Sequence, residues 1–92
     1  MRPHERQIVL SSWAKGDRDD VYERGIDAWG EAQADEYLGM LLGAVERLAE
    51  FPEIGRARDD LRAGVRAFPF LRHIIYYELV EDEIRVGRIL HA

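Results

Sequence analysis

Apolar positions along this chain change period as it proceeds. The opening segment Arg6-Gln7-Ile8-Val9-Leu10 is short, β-branched and apolar, and Ser11-Ser12 closes it, so it predicts a strand followed by a helix N-cap. Over residues 13–29 the small or apolar residues Ala14, Val21, Gly25 and Ala28 recur at helical spacing, with Tyr22 and Trp29 on the flanks. This first helix is imperfect. Arg18 falls within the apolar stripe, and Gly16 and Gly25 each cost a helix about 1 kcal/mol relative to alanine. Gly30 supplies the stop.

A second helix over residues 31–51 carries the clearest pattern. Ala34, Leu38, Leu41, Val45 and Leu48 fall on one line, and Tyr37, Leu42, Ala44 and Ala49 widen it to an arc of about 160°. That arc is wider than one flat contact needs, so the helix should pack on a sheet and on the first helix at once, with Gly30 turning the two into a hairpin. Gly39 and Gly43 point away from the stripe, toward Glu36, Glu46 and Glu50; they are either tolerated on a solvent face or clear a shelf for another backbone. Pro52 ends the helix, and residues 53–63 read as a charged loop.

Period two takes over in the last third. Residues 65–70, 72–80 and 84–90 are rich in Val, Ile, Phe and Tyr, and Glu81-Asp82-Glu83 makes a tight turn before the last of them. Ile74-Ile75-Tyr76-Tyr77 is apolar on both faces, which predicts a central strand. The order β-α-α-β-β-β predicts one α+β domain over residues 1–92, with a helical hairpin packed on a mainly antiparallel sheet.

Charge adds an asymmetry. The chain has 92 residues and a net charge of −5, but residues 1–55 carry 6 basic and 12 acidic side chains while residues 56–92 carry 7 and 6. Lys15 is the one lysine, and arginine's planar fork suits carboxylate or phosphate where lysine offers a point charge. A genome rich in G and C would produce the same bias. An acidic whole argues against sequence-independent nucleic-acid binding, although the arginines of residues 56–72 could hold an acidic partner. With no cysteine, there is neither a disulfide scaffold nor a thiolate metal site. Short apolar runs and a charged start at Met1 leave no membrane span or export signal, so a soluble cytoplasmic protein is expected.

Candidate chemistry is sparse. His4, His73 and His91 sit on separate segments without metal-ligand spacing, no glycine-rich phosphate loop is present, and Ser11 and Ser12 are the only serines, so neither a metal cofactor nor a serine hydrolase is expected. Arg66, Arg72, His73, Tyr77, Arg85, Arg88 and His91 do supply the side-chain types that metal-independent RNA cleavage uses, but no spacing among them fixes an acid–base pair.

The segment Trp29-Gly30-Glu31-Ala32-Gln33-Ala34-Asp35-Glu36-Tyr37-Leu38 resembles the W-G-x-x-Q-A-x-x-Y signature of ParE toxins in the RelE/ParE superfamily. Three further blocks follow in that family's order: Leu48-Ala49-Glu50-Phe51-Pro52-Glu53-Ile54-Gly55-Arg56, then Asp60-Leu61-Arg62-Ala63-Gly64-Val65-Arg66, then Arg72-His73-Ile74-Ile75-Tyr76-Tyr77 with Arg88-Ile89-Leu90-His91. The resemblance implies the RelE/ParE-like fold and a type II toxin–antitoxin system. The partner would be a ParD-like ribbon-helix-helix antitoxin, DNA would be reached only through that antitoxin, and the target would be DNA gyrase. Relatives of the RelE kind instead cut mRNA on the ribosome, and a degenerate toxin would only bind its antitoxin. The ParE-type signature and the acidic net charge favour a non-enzymatic gyrase inhibitor.

Two residue sets follow as candidates. Arg18, Tyr22, Trp29, Tyr37, Leu38, Leu42 and Val45 would meet the antitoxin along an open apolar flank of the hairpin, with an antitoxin carboxylate opposite Arg18. Arg58, Arg62, Arg66, Arg72, His73, Arg88 and His91 would engage the target, the arginines of residues 58–72 as one surface. Three features depart from the resemblance: Arg18 stands where an apolar residue is usual, Leu71 replaces a small turn residue, and the sequence stops at Ala92 where relatives run on.

Overall fold

In the computed structural model, which describes residues 6–92, the chain runs β1 (Gln7–Leu10), α1 (Ser12–Trp29), α2 (Glu31–Glu50), β2 (Arg56–Ala57), β3 (Arg66–Phe70), β4 (His73–Val80) and β5 (Glu83–His91). His4 and the charged start at Met1 lie outside the described residues. The sheet order is β1-β5-β4-β3-β2. β5 pairs antiparallel with β4 and parallel with β1, and β3 pairs antiparallel with β4 and with β2. The sheet is therefore mixed but mainly antiparallel, and β4 is its central strand, as its doubly apolar sequence requires.

Local chemistry sets the element ends. Ser11 caps α1 by accepting the Ala14 N–H at 2.9 Å, and its own hydroxyl donates to the Gly87 carbonyl at 2.7 Å, so one side chain ties the helix start to β5. Gly30 takes φ +89° between the helices, a backbone state that glycine adopts freely. The β4–β5 turn is the pair Glu81-Asp82, both at positive φ, with Glu83 already in the ladder opposite Val80. Gly87 is the extra residue of a β-bulge, because Tyr76 pairs Arg88 while Tyr77 pairs Val86.

The core lies between the hairpin and one sheet face. Leu41 and Leu48 of α2 are buried with Ile75 and Tyr77 of β4 and Ile84, Val86 and Ile89 of β5. Full burial of a Leu or Ile contributes about 1.5–3 kcal/mol, so these few residues dominate the stability of a domain this size. Gly25 of α1 faces Ala34 of α2 so closely that a Cβ on it would sit 3.1 Å from the Ala34 Cβ; the glycine lets the helices approach.

Two sequence expectations need correction. Ala28 is exposed, because α1 buries only Ala14, Val21 and Gly25. The loop expected over residues 53–63 contains the short edge strand β2, whose two residues are too few to carry a period. Arg18 does lie on the buried stripe of α1, between Ala14 and Val21, with its side chain about one-third exposed and paired loosely with Asp19 at 3.4 Å. Among the described residues, no helix is long and apolar enough to cross a membrane.

Candidate functional site

Parts of the two candidate sets, separate in sequence, meet at one end of the molecule. Trp29 closes α1, Tyr37 lies two turns into α2, and the β3–β4 turn brings Arg72 and His73 up to them. The Arg72 guanidinium stacks 4.6 Å from the Trp29 ring centre. Tyr37 packs against Trp29 at 5.8 Å and His73 at 5.5 Å, and His91 meets the His73 ring edge-on at 5.3 Å. The last contact follows from register, since His73 and His91 are cross-strand partners.

Polar atoms in this cluster are largely spoken for. Tyr37 Oη lies 2.7 Å from His73 Nδ1 and accepts the Arg72 N–H at 3.2 Å. His73 is only 8% exposed. Burial, followed by the nearby His91 and Arg72 charges, lowers its pKa, which favours the neutral ring. His73 is thus a core histidine that holds the β3–β4 turn to α2, and a partner would reach it only through Arg72 and His91, both exposed.

Along the hairpin, Tyr22 donates a hydrogen bond from its hydroxyl to Asp35, and that carboxylate raises the phenol to about 12. Leu38 and Leu42 are half-buried, whereas Val45 is 2% exposed and packed in the core. Val45 therefore supports the hairpin from inside and does not line its outer seam. Gly39 and Gly43 face open space, where a Cβ would meet nothing within 4 Å.

The arginines of residues 58–72 do not form one surface. Arg58 makes a two-pronged pair with Asp60 at 2.9 Å, and Arg62 donates to Glu78 at 2.7 Å. Arg66 turns inward and donates to the Gly55 carbonyl at 2.7 Å. Arg72 stands at the far end of β3 from Arg66, beyond five strand residues that span about 17 Å. Arg88 forms a two-pronged pair with Asp17 at 2.8 and 3.0 Å, and Asp17 also accepts the Ile89 N–H at 2.9 Å. Arg88 holds the Asp17 carboxyl below its ordinary pKa. Asp17 was absent from the sequence candidates because its partners lie more than seventy positions away.

The groups suited to RNA cleavage divide into two sets: Arg72, His73, Arg88 and His91 line one pocket together with Asp17, whereas Arg66, Tyr77 and Arg85 stand outside it. Tyr77 is buried and its hydroxyl donates to the Pro52 carbonyl, Arg66 serves the same loop, and His73 and His91 belong to the opposite end. Among the described residues, no group of three or more His, Asp or Glu side chains is placed to hold a metal ion.

A second feature lies on the sheet face turned away from the helices. Trp13, 71% exposed, and Leu61 border a groove of about 580 Å³ whose lining includes Tyr76, Arg62, Arg85 and Arg88. Trp13 escaped the sequence reading because it precedes the apolar stripe and lies off its face.

Residues 8–92 match the family described as ParE toxin of type II toxin-antitoxin system, parDE. The chain is 37% identical over 86 residues to Toxin ParE1 of Mycobacterium tuberculosis, covering 92% of this chain and 88% of that one. It is 34% identical over 91 residues to Toxin ParE1 of Caulobacter vibrioides, covering 99% and 90%. A solved structure titled "Chromosomal ParDE TA system from P. aeruginosa" shares the fold with a TM-score of 0.83 at 20% identity, covering 98% of this chain and 99% of that one. The same order of strand, helical hairpin and sheet thus recurs where sequence identity is low, and the chain belongs to the ParE toxin family of type II toxin–antitoxin systems.

Proposed function

We propose that this protein acts in the cytoplasm as a toxin that is neutralised by direct binding of a ParD-like ribbon-helix-helix antitoxin and that inhibits DNA gyrase when free. The observation that carries the choice of gyrase over mRNA cleavage is the commitment of Tyr77 and Arg66 to the carbonyls of the loop after α2, far from His73 and His91. Cleavage of RNA without a metal needs a base, an acid and a cation converging on one phosphate. Here Tyr77 and Arg66 serve the loop after α2, and in the pocket that Arg72, His73, Arg88 and His91 line, His73 is buried against Tyr37 and Arg88 is held by Asp17.

Antitoxin binding is assigned to the hairpin. Its antiparallel packing sets Tyr22 beside Asp35, which brings Arg18 level with the turn that carries Leu38 and Leu42. The seam then offers half-buried apolar side chains, a cation held only loosely by Asp19, and open shelves at Gly39 and Gly43. A partner helix with apolar anchors at i, i+3 and i+4 and a carboxylate for Arg18 suits that surface. Trp29 and Tyr37 would extend the contact toward Arg72. The antitoxin alone would contact DNA, in keeping with the acidic charge of the toxin.

The test is a supercoiling assay with purified gyrase, run beside primer extension on translating mRNA. Inhibited supercoiling with intact mRNA is the expected pair of results. Cuts in mRNA that disappear in His91→Ala or Tyr77→Phe would reverse the reading in favour of a RelE-like ribonuclease.

A further inference from the structure

A sheet with helices on one face ordinarily turns polar residues to water on the other. This one does not. Ile75 and Tyr77 point into the core, so Ile74 and Tyr76 point outward, and the ladders place Val9, Ala67, Pro69 and Leu90 on that same outward face. Two elements wall a groove across it. The start of α1 contributes Trp13, and the loop between β2 and β3 contributes Leu61, both more than half exposed. Gly87 at the bulge has no side chain to fill the floor between them.

The rim is basic. Arg62 and Arg85 are themselves exposed and each holds one partly exposed carboxylate, Glu78 and Glu83, in a single-pronged pair open to water on the arginine side and therefore weak. Arg88 differs: Asp17 fixes it with two hydrogen bonds, and its guanidinium stacks 5.5 Å from the Trp13 ring centre. An indole this exposed is therefore held in place before anything binds, which lowers the entropy cost of binding.

We infer that this groove docks the protein that the free toxin inhibits. It takes an amphipathic segment whose apolar side chains enter between Trp13 and Leu61 and whose carboxylates replace Glu78 and Glu83 on Arg62 and Arg85. The inference rests on the proposed reading of the chain as a toxin with a protein target. Charge complementarity selects an acidic occupant, and the net charge of −5 disfavours nucleic acid. A rim of exchangeable ion pairs around an apolar centre suits a contact that forms and dissolves. The hairpin seam lies on the other side of the sheet, yet Arg18 is only five residues from Trp13 on α1, about 7.5 Å along the axis. An antitoxin on the seam thus ends beside the groove and blocks it.

The experiment compares wild type with Trp13→Ala/Leu61→Ser and with Arg85→Glu in gyrase inhibition, antitoxin affinity and thermal melting. These side chains are exposed, so melting should be unchanged. Inhibition should weaken about 30-fold or more in each variant while antitoxin affinity stays within about threefold. Undiminished inhibition overturns the inference, and so does a parallel loss of antitoxin affinity, which would give the groove to the antitoxin. If wild type leaves gyrase untouched, the functional reading fails by itself. The groove is then judged with a synthetic helical peptide bearing leucine at i, i+3, i+4 and i+7 and glutamate elsewhere, read by Trp13 fluorescence in a Trp29→Phe background. Saturable binding that Arg85→Glu abolishes supports the groove, and no signal up to about 1 mM peptide overturns it.

Discussion

The Tyr77 hydroxyl accepts the Gly55 N–H at 2.9 Å and donates to the Pro52 carbonyl at 2.8 Å, so one buried side chain of the central strand fixes the loop that leaves α2. Gly55 is needed for that approach, since a Cβ there would lie 2.4 Å from Tyr77 Oη. Burial raises the phenol's pKa and keeps it protonated and donating.

Gly55→Ala should therefore destabilise the domain by about 1–3 kcal/mol through overpacking. Tyr77→Phe should cost about 1–3 kcal/mol by orphaning a buried N–H. Urea denaturation of both variants and the double variant checks this. The combined cost should be less than the sum, because removing the hydroxyl relieves part of the clash.

How far the sequence disclosed this depended on distance along the chain. The Leu41–Val45–Leu48 line of α2 and the doubly apolar β4 were legible because periodicity records burial locally. The Tyr77–Gly55 contact, the Asp17–Arg88 pair and the stacking of Arg72 on Trp29 were not, because each joins residues whose proximity exists only after the sheet has formed. Among the candidates, His73 and Val45 proved to be buried supports. An apolar or aromatic position on a correctly assigned element does not reveal whether it faces the core or a partner.

Leu71 stores strain in the β3–β4 turn. It adopts φ +53°, a left-handed state that costs a non-glycine residue about 1–2 kcal/mol, and it is 65% exposed, so burial returns little. Leu71→Gly should stabilise the domain by about 0.5–1 kcal/mol after glycine's larger chain entropy is counted, read as a rise in melting temperature. A fall would mean that the side chain packs more than its exposure indicates.

Acidification should weaken the fold in two steps. The folded state lowers the pKa of His73 from 6.5, so the unfolded chain binds more protons, and stability present above pH 6.5 is lost as pH falls below it. Asp17, lowered from 3.8 chiefly by Arg88, contributes stability that is present above that value and lost beneath it. His73→Gln should flatten the first step and Asp17→Asn the second in melting curves across pH. Steps that persist in those variants would assign them to other groups.

Hairpin variants separate the proposed antitoxin seam from the core. Leu42→Glu and Arg18→Glu should each weaken the antitoxin complex by about tenfold or more, measured by calorimetric titration. The free toxin should melt well below the complex, because a ligand that binds only the folded state stabilises it. Undiminished affinity in both variants would move the binding site off the hairpin, and equal melting temperatures with and without antitoxin would mean that the two do not bind.

The most direct measurement is gyrase supercoiling in the presence of the purified toxin, titrated with its ParD-like antitoxin. The expected result is inhibition by toxin alone and full recovery at the stoichiometry of the complex. Supercoiling that proceeds unaffected by the toxin, while translating mRNA is cut and the same antitoxin stops the cutting, would contradict the assignment of gyrase as target.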